Sequence, residues 1–119
     1  WIGAGGVRVT EVDGVVAGFI AAAPLGQALH IHVLAVHHHH QRQGIGTALL
    51  AATRIAAAEQ GFGEMTLTTF ANVSFNAPFY ARLGFRIEPA PPAPLAAILN
   101  AEARRGLTDR CAMRAVFRL

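Results

Sequence analysis

A chain of 119 residues is long enough for one domain with a modest core. Its 53% apolar and 14% charged residues exclude a disordered segment, and its apolar runs are too short or too broken by glycine to cross a bilayer. The ten basic residues are all Arg and give a net charge of +3, but they are scattered rather than clustered with stacking aromatics. That argues against nucleic acid and for a small polyanion as the partner of the positive charge.

In chain order, residues 7–12 read as a strand, Asp13-Gly14 as a tight turn, and residues 15–22 as the returning strand of a hairpin. Pro24-Leu25-Gly26 is expected to turn the chain again before a third strand over 29–36 (LHIHVLAV). Four histidines at 37–40 then lead into Gln41-Arg42-Gln43-Gly44-Ile45-Gly46. From Gly46 to Gln60 the pattern is helical, with Ile45, Leu49, Ala52 and Ala56 at three- and four-residue steps and Gly61 as the stop. Residues 65–69 form a short strand. Residues 77–83 form a helix with Asn76 as N-cap, Pro78 in its first turn and Gly84 closing it. A strand over 85–87, a stiff Pro-rich connector over 88–94 and a helix over 95–105 capped by Gly106 follow. The last stretch alternates, with Cys111, Met113, Ala115, Phe117 and Leu119 on one side and Arg114 and Arg118 on the other, as a half-buried strand does. Strands interleaved with helices give an α/β class with a single sheet.

The segment 41–46 carries the first chemical signal. It joins a strand to a helix whose first amides lack intrahelical partners and whose dipole is positive at that end. Gly44 and Gly46 allow an anion to approach the backbone, and Arg42 adds positive charge, a combination suited to pyrophosphate. A Walker loop is excluded by the single residue between the glycines and the missing Lys. A dinucleotide fingerprint is excluded because Leu49 stands where its third small residue belongs. An unrelated nucleotide-binding protein is thereby disfavoured.

A second motif lies one strand later: Asn76-Ala-Pro-Phe-Tyr80-Ala-Arg-Leu-Gly-Phe85. Leu34-Ala35-Val36, four residues and then Gln41 to Gly46 resemble motif A of the GCN5-related N-acetyltransferases, and Asn76 to Phe85 resembles their motif B. Both occur in the family's order and spacing, over roughly residues 7–87, with the final strand also in place. The resemblance implies the acyl-CoA N-acyltransferase fold, a single mixed, mostly antiparallel sheet with flanking helices. In that fold the third and fourth core strands splay and acetyl-CoA lies in the V. It implies that Leu34, Ala35 and Val36 offer backbone groups to the acetyl and pantetheine arm. It further implies that Arg42, Gln43, Gly44, Ile45, Gly46 and Thr47 hold the pyrophosphate, with Asn76 near the pantetheine or acting only as a cap. Tyr80, the chain's one Tyr, matches the residue that protonates the departing thiolate after an amine attacks the thioester directly.

Many relatives carry Glu in the third strand, about where His32 and Val33 stand. None of the seven carboxylates of this chain lies there. His32 is the candidate base, with His30 and an ordered water as alternatives, since imidazole suits base work. The expected function is acetyl transfer from acetyl-CoA to a primary amine of a small molecule or peptide, and the alternative is a non-catalytic CoA-binding or regulatory module. The acceptor itself is not written in the chain. Residues 37–40 are expected to be an exposed loop with adventitious metal binding at most, since a structural site adds ligands at set spacings. Cys111, the single cysteine, reads as a buried inert thiol in a reducing cytoplasm. Strand-like sequence begins almost at once after Trp1. The expectation is therefore one domain over residues 1–119 that lacks the family's N-terminal strand and two helices. A sheet edge exposed in that way would invite a homodimer.

Overall fold

The computed structural model describes residues 6–37, 44–70, 76–107 and 109–116. The strands are β1 (Gly6–Val12), β2 (Val15–Leu25), β3 (Ala28–Val36), β4 (Glu64–Phe70), β5 (Arg86–Ile87) and β6 (Arg110–Val116), and the helices α1 (Ile45–Glu59), α2 (Asn76–Arg82) and α3 (Ala93–Arg104). One sheet results, in the order β1-β2-β3-β4-β6-β5. β3 and β4 run parallel and every other neighbouring pair is antiparallel, so the sheet is mixed and mostly antiparallel, as expected.

The three helices end alike. Phe62 donates its N–H to the Ala57 carbonyl, Phe85 to Tyr80 and Leu107 to Glu102, while the preceding glycine donates to Ala58, Ala81 and Ala103 in turn. Gly61, Gly84 and Gly106 hold the left-handed backbone at φ +88°, +94° and +87° that this closure needs. The sequence placed all three stops correctly for that reason.

Two boundaries and the cover of one strand differ from expectation. β2 continues through Pro24 and Leu25, and the turn is Gly26-Gln27. Pro24 is tolerated because β1 reaches only as far as Ala22, so its missing N–H faces no described neighbour. α3 begins at Ala93 with Pro94 inside its first turn, where no N–H is required. β6 is covered on both faces: Met113 and Ala115 are buried on one side and Ala112 on the other.

That double cover defines the layers. Leu29, Ile31, Met65, Leu67, Met113 and Ala115 point to the side of α1 and α2, where they pack with Ile45, Leu49, Leu50, Ala57 and Phe85. Thr66, Thr68 and Arg110 point the other way, toward α3, whose Glu102 reaches Thr68 and Arg110. The two faces alternate along β4 and β6, as the pleat demands.

A candidate active site where the sheet forks

β3 and β4 pair at only three positions: Ala28 with Glu64, Leu29 with Met65 and His30 with Thr66. Beyond these, β3 stays with β2 as far as Val36, and β4 stays with β6 as far as Phe70. The sheet therefore forks just past His30 and Thr66 and opens toward the carboxyl ends of its two parallel strands, where open α/β sheets receive ligands. Leu34, Ala35 and Val36 lie on the diverging limb of β3.

A bulge shapes that limb. Ala21 pairs with Val33 but Ala22 pairs with Ile31, so His32 is the extra residue. Before it the odd positions Leu29 and Ile31 face the core; after it the even positions Leu34 and Val36 do. The bulge leaves His32 and Val33 both exposed in succession, beside the fork.

His30 is different. It is buried at 2% exposure, and its Nδ1 lies 2.8 Å from the Thr66 hydroxyl across the last paired position. Burial, reinforced by the neighbouring His32, pulls its pKa down to about 4, against an opposing pull from Glu102. The ring is neutral at physiological pH and already partnered. The His30 and His32 rings meet edge to face at 4.9 Å.

On the α1 side, Gly44 takes φ +78° just before the helix, with open space where a Cβ would stand. Ala48 donates to the Gly44 carbonyl at 2.9 Å, so the amides of Ile45, Gly46 and Thr47 precede that bond. A Cβ on Gly46 would lie 3.5 Å from the Phe79 ring, 3.7 Å from Val36 and 4.0 Å from Leu34. Gly46 thus sits where β3, α1 and α2 converge, and any larger side chain would fill the gap between them. Gly18, which the sequence reading passed over, lets α1 settle this low: its Cβ would stand 3.0 Å from both the Ala35 carbonyl and Ile45. Arg42, Gln43 and the His38, His39 and His40 positions lie outside the described residues, as does the side chain of Asn76, whose backbone opens α2.

Tyr80 sits on α2, edge to face with Phe79 at 5.2 Å and with Phe85 at 5.8 Å. Burial raises its pKa and the Arg110 guanidinium partly offsets that, so the phenol keeps its proton. Cys111 is half-buried against the same core, and burial likewise keeps it a thiol. Arg110 stands at the fork end of β6. Through Nε and Nη2 it binds both Glu102 carboxylate oxygens at 3.3 Å, and through Nη2 the Thr68 hydroxyl at 3.0 Å. That network was also missed. Its signal in the sequence is a glutamate seven residues after Leu95 on the stripe that α3 buries.

An open cleft of about 500 Å³, lined by Gln27, Gln60, Phe62 and Glu64 among others, lies at the opposite end of the sheet, where α1 stops and β4 begins. It lies beside the closed end of the β3–β4 pairing, before the strands part. Among the described residues no group of three metal-ligating side chains converges, and no helix is long and apolar enough to cross a membrane.

Comparison with known proteins accounts for this arrangement. Residues 3–87 match the acetyltransferase (GNAT) domain family. The PaiA N-acetyltransferase of Thermoplasma acidophilum, solved with coenzyme A, superposes with a TM-score of 0.74 at 17% identity over 93% of this chain and 60% of its own. N-acetylglutamate synthase from Neisseria gonorrhoeae, solved with coenzyme A and N-acetylglutamate, gives 0.76 at 20% over 95% and 26%. The ribosomal-protein-S18-alanine N-acetyltransferase of Escherichia coli gives 0.75 at 19% over 98% and 71%. The chain thus spans less than two thirds of the length of the first two, and these likenesses show the shared fold. With 85 of its 119 residues inside the family pattern (3 through 87), the chain belongs to the GNAT acetyltransferase family.

Proposed function

We propose that this chain transfers the acetyl group of acetyl-CoA to a primary amine of a small molecule or peptide. The observation that carries the reading is the fork, flanked by the open N-terminus of α1 on one side and by a protonated Tyr80 close by on α2. The fit to CoA rests on the gap that Gly44 and Gly46 leave clear, and relatives of this fold solved with coenzyme A support it. Ile45, Gly46 and Thr47 would hold the pyrophosphate through their first-turn amides, with Arg42, Gln43 and Asn76 assigned beside them from the motifs. Leu34, Ala35 and Val36 would line the acyl arm.

When bound, acetyl-CoA supplies an activated thioester that an amine attacks directly. The chain's own groups manage protons. His32, exposed on the bulge beside the fork, accepts the proton the amine must lose. His30 is unsuited to that task, since it is buried, neutral and engaged by Thr66. Tyr80 holds its proton until a thiolate departs and then donates it. A lone cysteine kept as a thiol fits a reducing, cytoplasmic setting. The outer edge of β1, which no described strand covers, is where a second copy would pair.

The test is an acetyl-CoA turnover assay across an amine panel with full-length protein, alongside calorimetry with CoA. Transfer to at least one amine is expected. CoA binding without transfer to any amine would make the domain a binding module instead.

A further inference from the structure

The β3 limb of the fork changes character at one level. Ala28 to Ile31 are buried, His32 and Val33 are exposed, and Leu34 to Val36 are half-buried. The step falls between Ile31 and His32, one residue past the last pairing of β3 with β4. Below the step the fork is filled from both sides. Ile31 and Leu67, the first residues past the pairing on their strands, join the core under α1 at 5% and 2% exposure. His30 and Thr66 close the other side at 2% and 3% exposure. The hydrogen bond between His30 Nδ1 and the Thr66 hydroxyl, at 2.8 Å, crosses from one limb to the other. These four side chains make a floor.

The order of the residues assigned to CoA decides which end of it meets that floor. Ile45, Gly46 and Thr47, at the open end of α1, lie beyond the carboxyl end of β3. Val36, Ala35 and Leu34 lead back along the limb, and His32 is the first exposed residue above the floor. Pyrophosphate is thus assigned farthest from the floor, and the acyl end nearest to it. An amine that gives its proton to His32 reacts at the level of His32. Below that level the acyl chain has about one strand residue of depth, about 3.3 Å. A methyl group fits that depth. A chain of three carbons meets close-packed side chains that do not shift without cost.

We propose that His30, Ile31, Thr66 and Leu67 form an acyl-length stop that selects acetyl-CoA against thioesters with acyl groups of four or more carbons. This rests on the acetyl-transfer reading above. Ile31 is its specificity-determining side chain, because it stands at the step itself, while His30 and Thr66 are committed to each other.

The experiment compares acetyl-, propionyl- and butyryl-CoA on the full-length protein, on Ile31→Ala and on the gentler Ile31→Val. Leu95→Ala, at a buried position of α3, is the control for a cavity made elsewhere. Calorimetry without acceptor gives the affinity for each thioester, turnover with an amine from the panel gives kcat/KM, and Tm is recorded for each variant. In wild type, butyryl-CoA should bind about tenfold or more weakly than acetyl-CoA and be about a hundredfold poorer in kcat/KM. Ile31→Ala should shrink both gaps about tenfold and Ile31→Val a few-fold, since each removes only part of the stop. Leu95→Ala should leave both ratios as in wild type. Equal binding and equal use of the three thioesters by wild type overturns the stop. Unchanged ratios in the folded Ile31 variants overturn it too, as does an equal shift in Leu95→Ala, which traces the change to a looser fold. Length-dependent binding with no transfer to any amine upholds the stop and removes the acetyl-transfer reading. No binding of any of the thioesters removes both.

Discussion

The two faces of the sheet are held by different forces, although the same strands build both. Under α1 and α2 the contacts are apolar: Leu29, Ile31, Met65, Leu67, Met113 and Phe85 pack as a continuous core. Under α3, beside the buried Leu95 and Ala112, the same strands bury polar pairs, with His30 on Thr66 and Thr68 on Glu102 and Arg110. Apolar burial is non-directional and tolerates small shifts of the groups that make it. Buried hydrogen-bonded pairs fix position but lose heavily when half of a pair is removed. The fork needs both: one side stable enough to anchor a helix N-terminus, the other set to a single arrangement.

The largest effect should come from the apolar side's one phenol. Tyr80→Phe keeps the ring against Phe79 and Phe85 and removes the proton, so kcat should fall about 10²–10⁴-fold with little change in CoA affinity or Tm. A normal kcat with a lower Tm would return Tyr80 to packing. Next is the polar side. Arg110→Met strands the Glu102 carboxylate, which is 8% exposed, and should cost about 3–5 kcal/mol in denaturant unfolding. Pairing it with Glu102→Met should recover most of that loss. Without recovery, the two faces would not differ in the way described.

His30 sharpens the contrast through pH. Its folded pKa of about 4 lies below the unfolded value of 6.5, so between those values the unfolded chain binds the proton more readily. Stability is therefore full above about pH 6.5 and declines as pH falls toward 4, by up to about 3 kcal/mol. His30→Gln should flatten that part of the pH profile, and a variant with the wild-type slope would assign it elsewhere. The smallest effect is expected at Gly18→Ala, where a Cβ 3.0 Å from the Ala35 carbonyl and Ile45 must push α1 or β3 aside. Overpacking of that kind costs about 1–3 kcal/mol, and CoA affinity should weaken with it because Ile45 opens the helix that would hold the pyrophosphate.

By itself the sequence determined the order and type of the elements, the three glycine helix stops and the placement of Tyr80 on the helix that Asn76 opens. These depend on residues within a few positions of one another: a left-handed glycine, a period of hydrophobic steps, a motif spacing. The tertiary structure decided what depends on partners far along the chain. His30 and His32 look alike in LHIHVLAV, yet Thr66 buries one, and a bulge against Ala21 and Ala22 exposes the other. β3 holds no carboxylate, while the fold brings Glu102 near His30 from α3, seventy-two residues along the chain (102 − 30). Pro94 joined a helix rather than the connector, and Ala112 became buried because α3 lies over it. Register, bulges and the choice of face are settled by strand pairing and helix docking, which no local pattern encodes.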